Sequence, residues 1–267
     1  TDLVRDGGHA MNKADAAYFS NKALSKSAID LLLECPALYK AWLEGVDDEQ
    51  ESKALSFGSM FHLLCLQPEL FANEFAVTDI NLSTKAGREW KKGIPDTVTI
   101  VKQEDYEKAL LMSEAVREHP QAKCLFRHYT AEQPIYWMRD GIECKAKPDI
   151  VSTVFGQRFC ADLKTTESAN PEAIQRTIAK YGYHRQAAWY LDGMKAIGQP
   201  CEAFIFIFVE KTFPHLVTMC QLDEDALQKG LSECLSAVES LKRCLNSGTF
   251  PCYTRDILTI SLPKWAA

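Results

Sequence analysis

The sequence predicts an α/β protein in which a mixed central β-sheet is flanked by helices, with an N-terminal helical elaboration. Helical periodicity of apolar residues dominates the chain up to Pro120. Short runs of β-branched and aromatic residues, separated by turn residues, follow from Pro134 to Leu163. Further helical segments then surround an apolar run at Ala203 to Val209, which is typical of a buried strand. Strands combined with helices in this order favour an α/β layer architecture.

The first helices are predicted from caps and from the spacing of apolar residues. One opens at Leu24 to Ser27, where Ser27 and Asp30 have capping-box spacing, and Pro36 bends or restarts it. A second helix spans Lys53 to Leu66. Its apolar residues recur at i, i+3, i+4 and i+7, namely Phe57, Met60, Phe61 and Leu64.

We expect an irregular segment from about Phe71 to Gly93, followed by a helix from about Glu104 to His119. The irregular segment includes the most basic short stretch of the chain, at 83–92. Its cations are Lys85, Arg88, Lys91 and Lys92, set against the single acid Glu89. Such a stretch can bind phosphate groups in a sequence-independent way.

The second half is expected to alternate strands and helices. Asp140-Gly141 is a strong hairpin signal between two strands. Asn170 or Ser168 can cap a helix with Pro171 at its first position. The predicted strands are 134–139, 142–146, 150–154, 159–163, 203–209 and an edge strand near 216–221, and the later helices are 184–197 and 223–245.

We interpret residues 1–267 as one domain, with 1–125 as the helical elaboration, 126–250 as the α/β core and 251–267 as a C-terminal tail. No apolar run reaches the roughly 18 residues that a membrane span requires. A first residue of Thr1 and the lack of a signal segment favour a fragment or processed product of a longer chain. The net charge of −6 confines any contact with nucleic acid to a local groove or channel.

The ten cysteines occur singly in apolar settings, which favours reduced thiols in the cytoplasm over a disulfide scaffold. The chain has no CxxC pair and no His-x3-5-His partner, so we expect no structural zinc.

Two carboxylates and a lysine form the most informative motif, as Pro148-Asp149 and Asp162-Leu163-Lys164. If Phe155-Gly156 is a two-residue hairpin loop, Asp149 faces Asp162, with Cβ atoms roughly 4.5 to 5.5 Å apart. Lys164 points to the same face as Asp162, because side chains two apart on a strand share a face.

Facing carboxylates repel each other unless a cation lies between them, so this arrangement favours a divalent metal site. A neighbouring lysine suits the metal-assisted hydrolysis of a phosphodiester. The pattern is short, however, and an ordinary polar hairpin surface remains an equal alternative from these residues alone.

Other segments accompany the hairpin. Gln186 and Tyr190 lie one helical turn apart, as QxxxY. Gly58 to His62 reads GxxxH. The segments Leu24 to Ser27 and Cys35 to Tyr39 resemble an SxSxL and CPxxY opening. In this order, the motifs resemble the RecB-like branch of the PD-(D/E)xK nuclease superfamily, with its restriction-endonuclease-like core.

The resemblance implies roles for particular residues. The metal ligands would be His62, Asp149, Asp162 and the Leu163 carbonyl, with Glu132 as a further ligand or supporting acid. Lys164 would contact the nucleophilic water, and Gln186 and Tyr190 would orient the lysine or the DNA backbone. The implied ion is Mg²⁺, with Mn²⁺ as a substitute. Some members hold an iron–sulfur cluster, but the partners of Cys35 would be Cys234, Cys244 and Cys252, which are too scattered, so we expect none.

Within that branch, Ser83 to Trp90 and Cys144 to Lys164 are similar to the exodeoxyribonuclease VIII family of prophage hydrolases. The similarity implies an exonuclease that degrades the 5′-ended strand of linear duplex DNA and leaves 3′ overhangs for recombination. It also implies a homotetrameric ring and a single-strand annealing protein as partner. The DNA-binding residues expected in the channel are Lys85, Arg88, Trp90, Lys91 and Lys92.

Two alternatives remain open at this point. The same motifs serve endonucleases and single-strand nucleases. The chain could also be a non-catalytic DNA-binding or assembly module that has kept the fold.

Overall fold

A computed structural model describes residues 13–45 and 53–266 of the chain. The α-helices are α1 Lys13–Ser20, α2 Lys26–Glu34, α3 Pro36–Leu43, α4 Lys53–Leu66, α5 Phe71–Glu74, α6 Lys85–Lys92, α7 Gln103–Glu118, α8 Ala122–Leu125, α9 Pro171–Tyr181, α10 Tyr183–Ala196 and α11 Glu224–Ser247. The strands are β1 Phe75–Thr78, β2 Thr99–Lys102, β3 Tyr129–Ala131, β4 Ile135–Arg139, β5 Ile142–Ala146, β6 Ile150–Val154, β7 Gln157–Thr166, β8 Ala203–Glu210 and β9 Val217–Cys220.

Five strands form the central sheet, in the order β3-β6-β7-β8-β9. β7 and β8 are parallel, whereas the other neighbouring pairs are antiparallel. The connection from β7 to β8 carries α9 and α10, as a parallel pair requires a long crossover. The expected mixed sheet flanked by helices is therefore confirmed.

The two faces of the sheet belong to different hydrophobic clusters, because side chains alternate along a strand. On β8, Ile207 and Val209 pack with residues of α4 and α7, including Phe61 and Met112. The neighbouring side chains on β8 point to the opposite face, where they pack with residues of α9 and α10. That second cluster includes Phe204, Phe206, Phe208, Ile174, Ala187 and Met194.

A third cluster lies away from this sheet, between a separate β4–β5 ribbon and the helices α2, α10 and α11. The Trp137 and Trp189 rings pack 5.0 Å apart in it. Gly193 permits this contact, since a Cβ there would lie 2.7 Å from Trp137. The cluster is tied to the N-terminal segment by a short parallel bridge between Leu24 and Cys144.

The hairpin between β6 and β7 has the predicted register. Val154 pairs with Gln157 and Ile150 pairs with Ala161. Phe155 and Gly156 have φ values of 50° and 82°, the left-handed conformations of a two-residue hairpin turn. Asp149, one residue before β6, therefore lies across from Asp162.

Two predictions about local structure are wrong. The segment 71–93 is not irregular, because it contains α5, β1 and α6 after a 3₁₀ turn at Pro68–Leu70. β1 pairs in parallel with β2, a distant partner that local periodicity cannot reveal. The cap of α2 is Ser25, whose side chain accepts a hydrogen bond from Ala28 N–H, and not Ser27.

The helical half and the sheet share one core, since α4 and α7 cover a face of β6, β7 and β8. These segments form one continuous packing unit, so the division of the chain after residues 125 and 250 remains a prediction from the sequence. Among the described residues, no helix combines the length and apolar character needed to cross a bilayer.

Candidate active site

The site lies where β6 begins, at the point beyond which β7 is paired with β8 alone. Because β6 starts opposite Ala161, the backbone of Leu163 has no partner on that strand. Its N–H donates to Asp149 Oδ2 at 2.7 Å. Its carbonyl oxygen lies 3.1 Å from His62 Nε2. The end of strand pairing thus brings a carboxylate and an imidazole to the same peptide.

His62, Glu132 and Asp149 form a group that could hold a metal ion. Their ligand atoms all lie within 4.8 Å of one another. His62 Nδ1 is 3.3 Å from Asp149 Oδ2. Glu132 follows β3 with a φ of 53°, and its N–H donates to the Asp149 carbonyl at 3.2 Å. This left-handed residue turns the chain so that Glu132 meets the other two side chains.

Asp162 lies beside this group with two partners of its own. Lys164 Nζ is 2.5 Å from Asp162 Oδ2, and Gln186 Nε2 donates to Asp162 Oδ1 at 2.5 Å. Asp162 is only 3% exposed, and its Oδ2 accepts no well-oriented hydrogen bond despite the ion pair. A buried carboxylate oxygen held by charge alone can bind a cation.

Two carboxylates of the site, those of Asp149 and Glu132, resist ionisation. Burial, reinforced by the charge of Asp162, holds the pKa of Asp149 well above its usual range. Burial and the charge of Asp149 raise the pKa of Glu132 to about 7, although Lys147 opposes the shift. Accumulated negative charge that is costly without a cation is the expected signature of a metal site.

The pKa values of the two basic groups, His62 and Lys164, shift in opposite directions. Burial lowers the pKa of His62, which favours the neutral imidazole that can bind a metal. Burial alone would lower the pKa of Lys164, but the charges of Asp162 and Asp149 outweigh it and raise that pKa. Lys164 is therefore a stable cation.

The donor set fits a divalent metal ion. It combines the carboxylates of Asp149 and Glu132 with an imidazole, and the Leu163 carbonyl and Asp162 lie next to them. Carboxylate and carbonyl oxygens suit Mg²⁺ and Mn²⁺, and an imidazole is compatible with Mn²⁺.

Tyr190 stands one turn beyond Gln186 on α10, as expected. Burial raises the pKa of its hydroxyl well above the usual range, and the Lys147 backbone hydrogen-bonds to it. Its ring meets Phe204 edge to face at 5.7 Å. Tyr190 is thus a neutral side chain between the site and the core.

Sequence reasoning did not assign a role to Lys147 or Tyr183. Lys147 Nζ lies 2.5 Å from Glu132 Oε2. The Tyr183 ring centroid lies 4.6 Å from Lys164 Nζ. Helical spacing could have found Tyr183, since it precedes Gln186 by three residues on one face.

The basic stretch forms α6, and its four cations are exposed. Arg88 donates to the Ser83 carbonyl at 2.8 Å, and Lys92 pairs with Glu89 at 2.8 Å. Trp90 is half-buried. These contacts stay within α6 and the loop before it, so a role in DNA binding remains a prediction.

Comparison with known proteins agrees with this architecture. A crystal structure of a presumed exonuclease from Eubacterium rectale superposes with a TM-score of 0.63 and 16% sequence identity, over 96% of this chain and 97% of that one. The structure of the protein SSO0001 aligns over 83% and 81% of the two chains at 11% identity, but its TM-score of 0.33 is too low to indicate a common fold. No curated protein matches the sequence.

The family assignment rests on a match along most of the sequence. Residues 25–260 match the model of a PDDEXK-like domain of unknown function, DUF3799. The matched range includes every candidate site residue described above, from His62 to Tyr190. The chain therefore belongs to the family of PDDEXK-like domains.

Proposed function

We propose that this protein is a metal-dependent exodeoxyribonuclease that hydrolyses the 5′-ended strand of linear duplex DNA. The proposal depends on one observation, that two groups of side chains lie next to each other. One is the cluster of His62, Glu132 and Asp149, and the other is the Asp162–Lys164 ion pair. A cation next to buried carboxylates is the arrangement that phosphodiester hydrolysis needs. Membership of a PDDEXK-like family supports the same chemistry.

His62, Asp149, Glu132, Asp162 and the Leu163 carbonyl would hold the metal. When bound, Mg²⁺ or Mn²⁺ would lower the pKa of a coordinated water and neutralise phosphate oxygens. Asp149 is held in place by the Leu163 N–H, and Asp162 by Gln186. These hydrogen bonds fix the carboxylates before the substrate arrives, which reduces the cost of reorganisation.

Lys164 is the residue that would contact the reacting groups. It is a stable ammonium with its charge beside Asp162, and only 19% of its side chain is exposed. It would steady the attacking hydroxide and the charge that develops on the phosphate. Tyr190 would contribute position rather than charge, because its hydroxyl stays protonated.

The finer assignment follows the similarity to the exodeoxyribonuclease VIII (RecE) nuclease domain. It comprises 5′ to 3′ polarity, a homotetrameric ring, 3′ overhangs for recombination, a single-strand annealing partner and a cytoplasmic location. A ring reconciles the net charge of −6 with a basic channel lined by α6.

Digestion of a labelled linear duplex tests the proposal, with the 5′ and 3′ ends tagged in separate reactions. We expect Mg²⁺-dependent release of the 5′ label as short products while the 3′-labelled strand survives. EDTA should stop the reaction, and a covalently closed circular duplex should remain intact.

Other outcomes would contradict the proposal in specific ways. Cleavage of the circle would indicate an endonuclease, and degradation of single strands alone would indicate a single-strand nuclease. If neither Mg²⁺ nor Mn²⁺ supports cleavage of any DNA, the protein is a non-catalytic module.

A further inference from the structure

A surface groove of about 530 Å³ opens beside the candidate site. It lies between α2 and the junction of α9 and α10, and Tyr183 forms part of its wall. The same Tyr183 ring lies 4.6 Å from Lys164 Nζ. The groove and the site therefore share one aromatic side chain, and the volume lies in the range of roughly 300 to 1,000 Å³ found for small-ligand sites.

A second tyrosine extends this aromatic wall to the surface. Tyr181 is 50% exposed, and its ring stacks on Tyr183 with centroids 5.7 Å apart and an angle of 26°. An aromatic ring with this much exposed surface can stack on a planar ligand. The two rings mark a path from solvent to the catalytic lysine.

The backbone holds Tyr181 in a fixed position. Lys26 Nζ donates to the Tyr181 carbonyl at 2.7 Å. Gly182 adopts a left-handed φ of 62°, and a Cβ there would lie 2.0 Å from the Arg185 side chain. The ring itself is held by its stacking contact with Tyr183, and a ring that is already ordered loses little conformational freedom when it binds a ligand.

The charges of the groove leave a cation available. Asp30 is neutralised by Lys26 at 2.6 Å and by Arg185 at 2.8 Å. Glu34, the other acid in the lining, accepts a hydrogen bond from Tyr253. Lys180 Nζ lies 5.1 Å over the Tyr181 ring, and it has no ion pair in the part of the chain that the structure describes. A cation beside an exposed ring suits a phosphate next to a stacked base.

We infer that this groove binds an unpaired nucleotide of the strand being cut, with its base stacked on Tyr181 and its phosphate near Lys180. The inference rests on the proposed DNA substrate and deepens it. The end of a duplex must then open before its phosphate reaches Lys164, so the strand enters the site unpaired.

Binding of an oligonucleotide in EDTA tests the groove without requiring cleavage. The probe is a linear duplex with a short unpaired 5′ end that carries 2-aminopurine, whose fluorescence falls when it stacks. We expect quenching by the parent protein and by Tyr181→Phe, but not by Tyr181→Ala. Tyr181→Ala should also weaken binding roughly tenfold, as expected for one lost stacking contact.

Matched variants control for the loss of an aromatic ring and of a charge. Phe155→Ala removes a 99% exposed ring at the tip of the β6–β7 hairpin and should quench like the parent. Lys180→Glu should flatten the salt dependence of binding, whereas Lys195→Glu, on the exposed end of α10, should leave it unchanged.

The results separate this inference from the proposed function. If the parent cleaves DNA but Tyr181→Ala still quenches the probe, the groove assignment is wrong and the nuclease assignment stands. If the parent quenches the probe through Tyr181 but never cleaves DNA, the groove assignment stands and the nuclease assignment is wrong. Equal affinity of the parent for a blunt duplex and for the unpaired end would also overturn the groove assignment.

Discussion

Asp162 has two neighbours of different character, a cation on one oxygen and a neutral amide on the other. The carboxylate is buried, so it depends on both to offset the cost of losing water. Lys164 neutralises its charge and Gln186 fixes its orientation. A substitution of the lysine should therefore affect chemistry, whereas one of the glutamine should affect position.

We predict that Lys164→Ala abolishes turnover in a protein that still folds but is less stable than the parent, because the buried Asp162 carboxylate loses its cation. The ammonium that would steady the attacking water is lost, and removal of one such electrostatic group costs about a hundredfold or more in kcat. Mn²⁺ binding, measured by calorimetry, should persist because the His62, Glu132 and Asp149 group is unchanged. Lys195→Ala serves as the control, and activity within a few-fold of the parent would contradict the assigned role of Lys164.

A second prediction concerns pH. The pKa of Glu132 is about 7 in the folded protein against an ordinary value of 4.5, so the folded state keeps a proton that the unfolded chain loses between these values. The contribution of Glu132 to the stability of the metal-free protein should be fully present below pH 4.5 and should fall by up to about 3 kcal/mol as the pH rises through 7. Denaturant unfolding in EDTA measures this.

Glu132→Gln is the control for the pH experiment, since it cannot ionise and should flatten the decline. The pKa of Asp149 is also raised, so the variant should keep a residual decrease in stability with rising pH. Added Mg²⁺ should reverse the trend, because protons compete with the metal for the carboxylates. An identical pH dependence for parent and variant would show that Glu132 does not carry the effect.

The candidate site was only partly predictable from individual residues. The opposition of Asp149 and Asp162 followed from the turn at Phe155-Gly156, because a two-residue hairpin sets the register of every pair behind it. The contact of Lys147 with Glu132 was not predictable, since it depends on the left-handed backbone at Glu132. Local patterns do not specify such turns.

The packing of α10 against α11 depends on a glycine. A Cβ at Gly230 would lie 2.2 Å from the carbonyl oxygen of His184. His184 is two residues before Gln186 on α10. The separation of these helices therefore affects where Gln186 stands relative to Asp162.

We predict that Gly230→Ala destabilises the protein by about 1 to 3 kcal/mol, because the helices must move apart. Gly58→Ala is the matched control, since nothing lies within 4 Å of a Cβ there and alanine favours a helix by up to about 1 kcal/mol. Denaturant midpoints measure both. Equal effects of the two substitutions would show that the contact with α10 is not what constrains position 230.

The helices and strands with strong local signals were predictable, whereas their distant partners were not. α4 follows from its apolar spacing, and the β4–β5 hairpin follows from Asp140-Gly141. The parallel pairing of β1 with β2 and the separation of the β4–β5 ribbon from the central sheet depend on packing between remote segments. Sequence windows carry no such information.

Charge across the molecule leads to a further prediction. Reversing Lys85 and Arg88 to glutamate should weaken DNA binding and reduce the magnitude of its salt slope by about 0.9 for each lost phosphate contact. Lys195→Glu with Arg243→Glu changes net charge equally at exposed positions elsewhere and should alter the slope little. Fluorescence anisotropy over a salt series measures this, and equal slopes for both double variants would exclude α6 as the DNA-binding surface.

The contact between His62 and the Leu163 carbonyl joins residues 101 positions apart in the sequence. Contacts of such long separation are slow to form, because closing the long loop between the two residues costs entropy before the contact can stabilise the chain. Helices such as α4 can form early, but the ligand group exists only after α4 has docked on the finished hairpin. During refolding from denaturant, recovery of metal affinity should therefore lag behind recovery of helical circular dichroism.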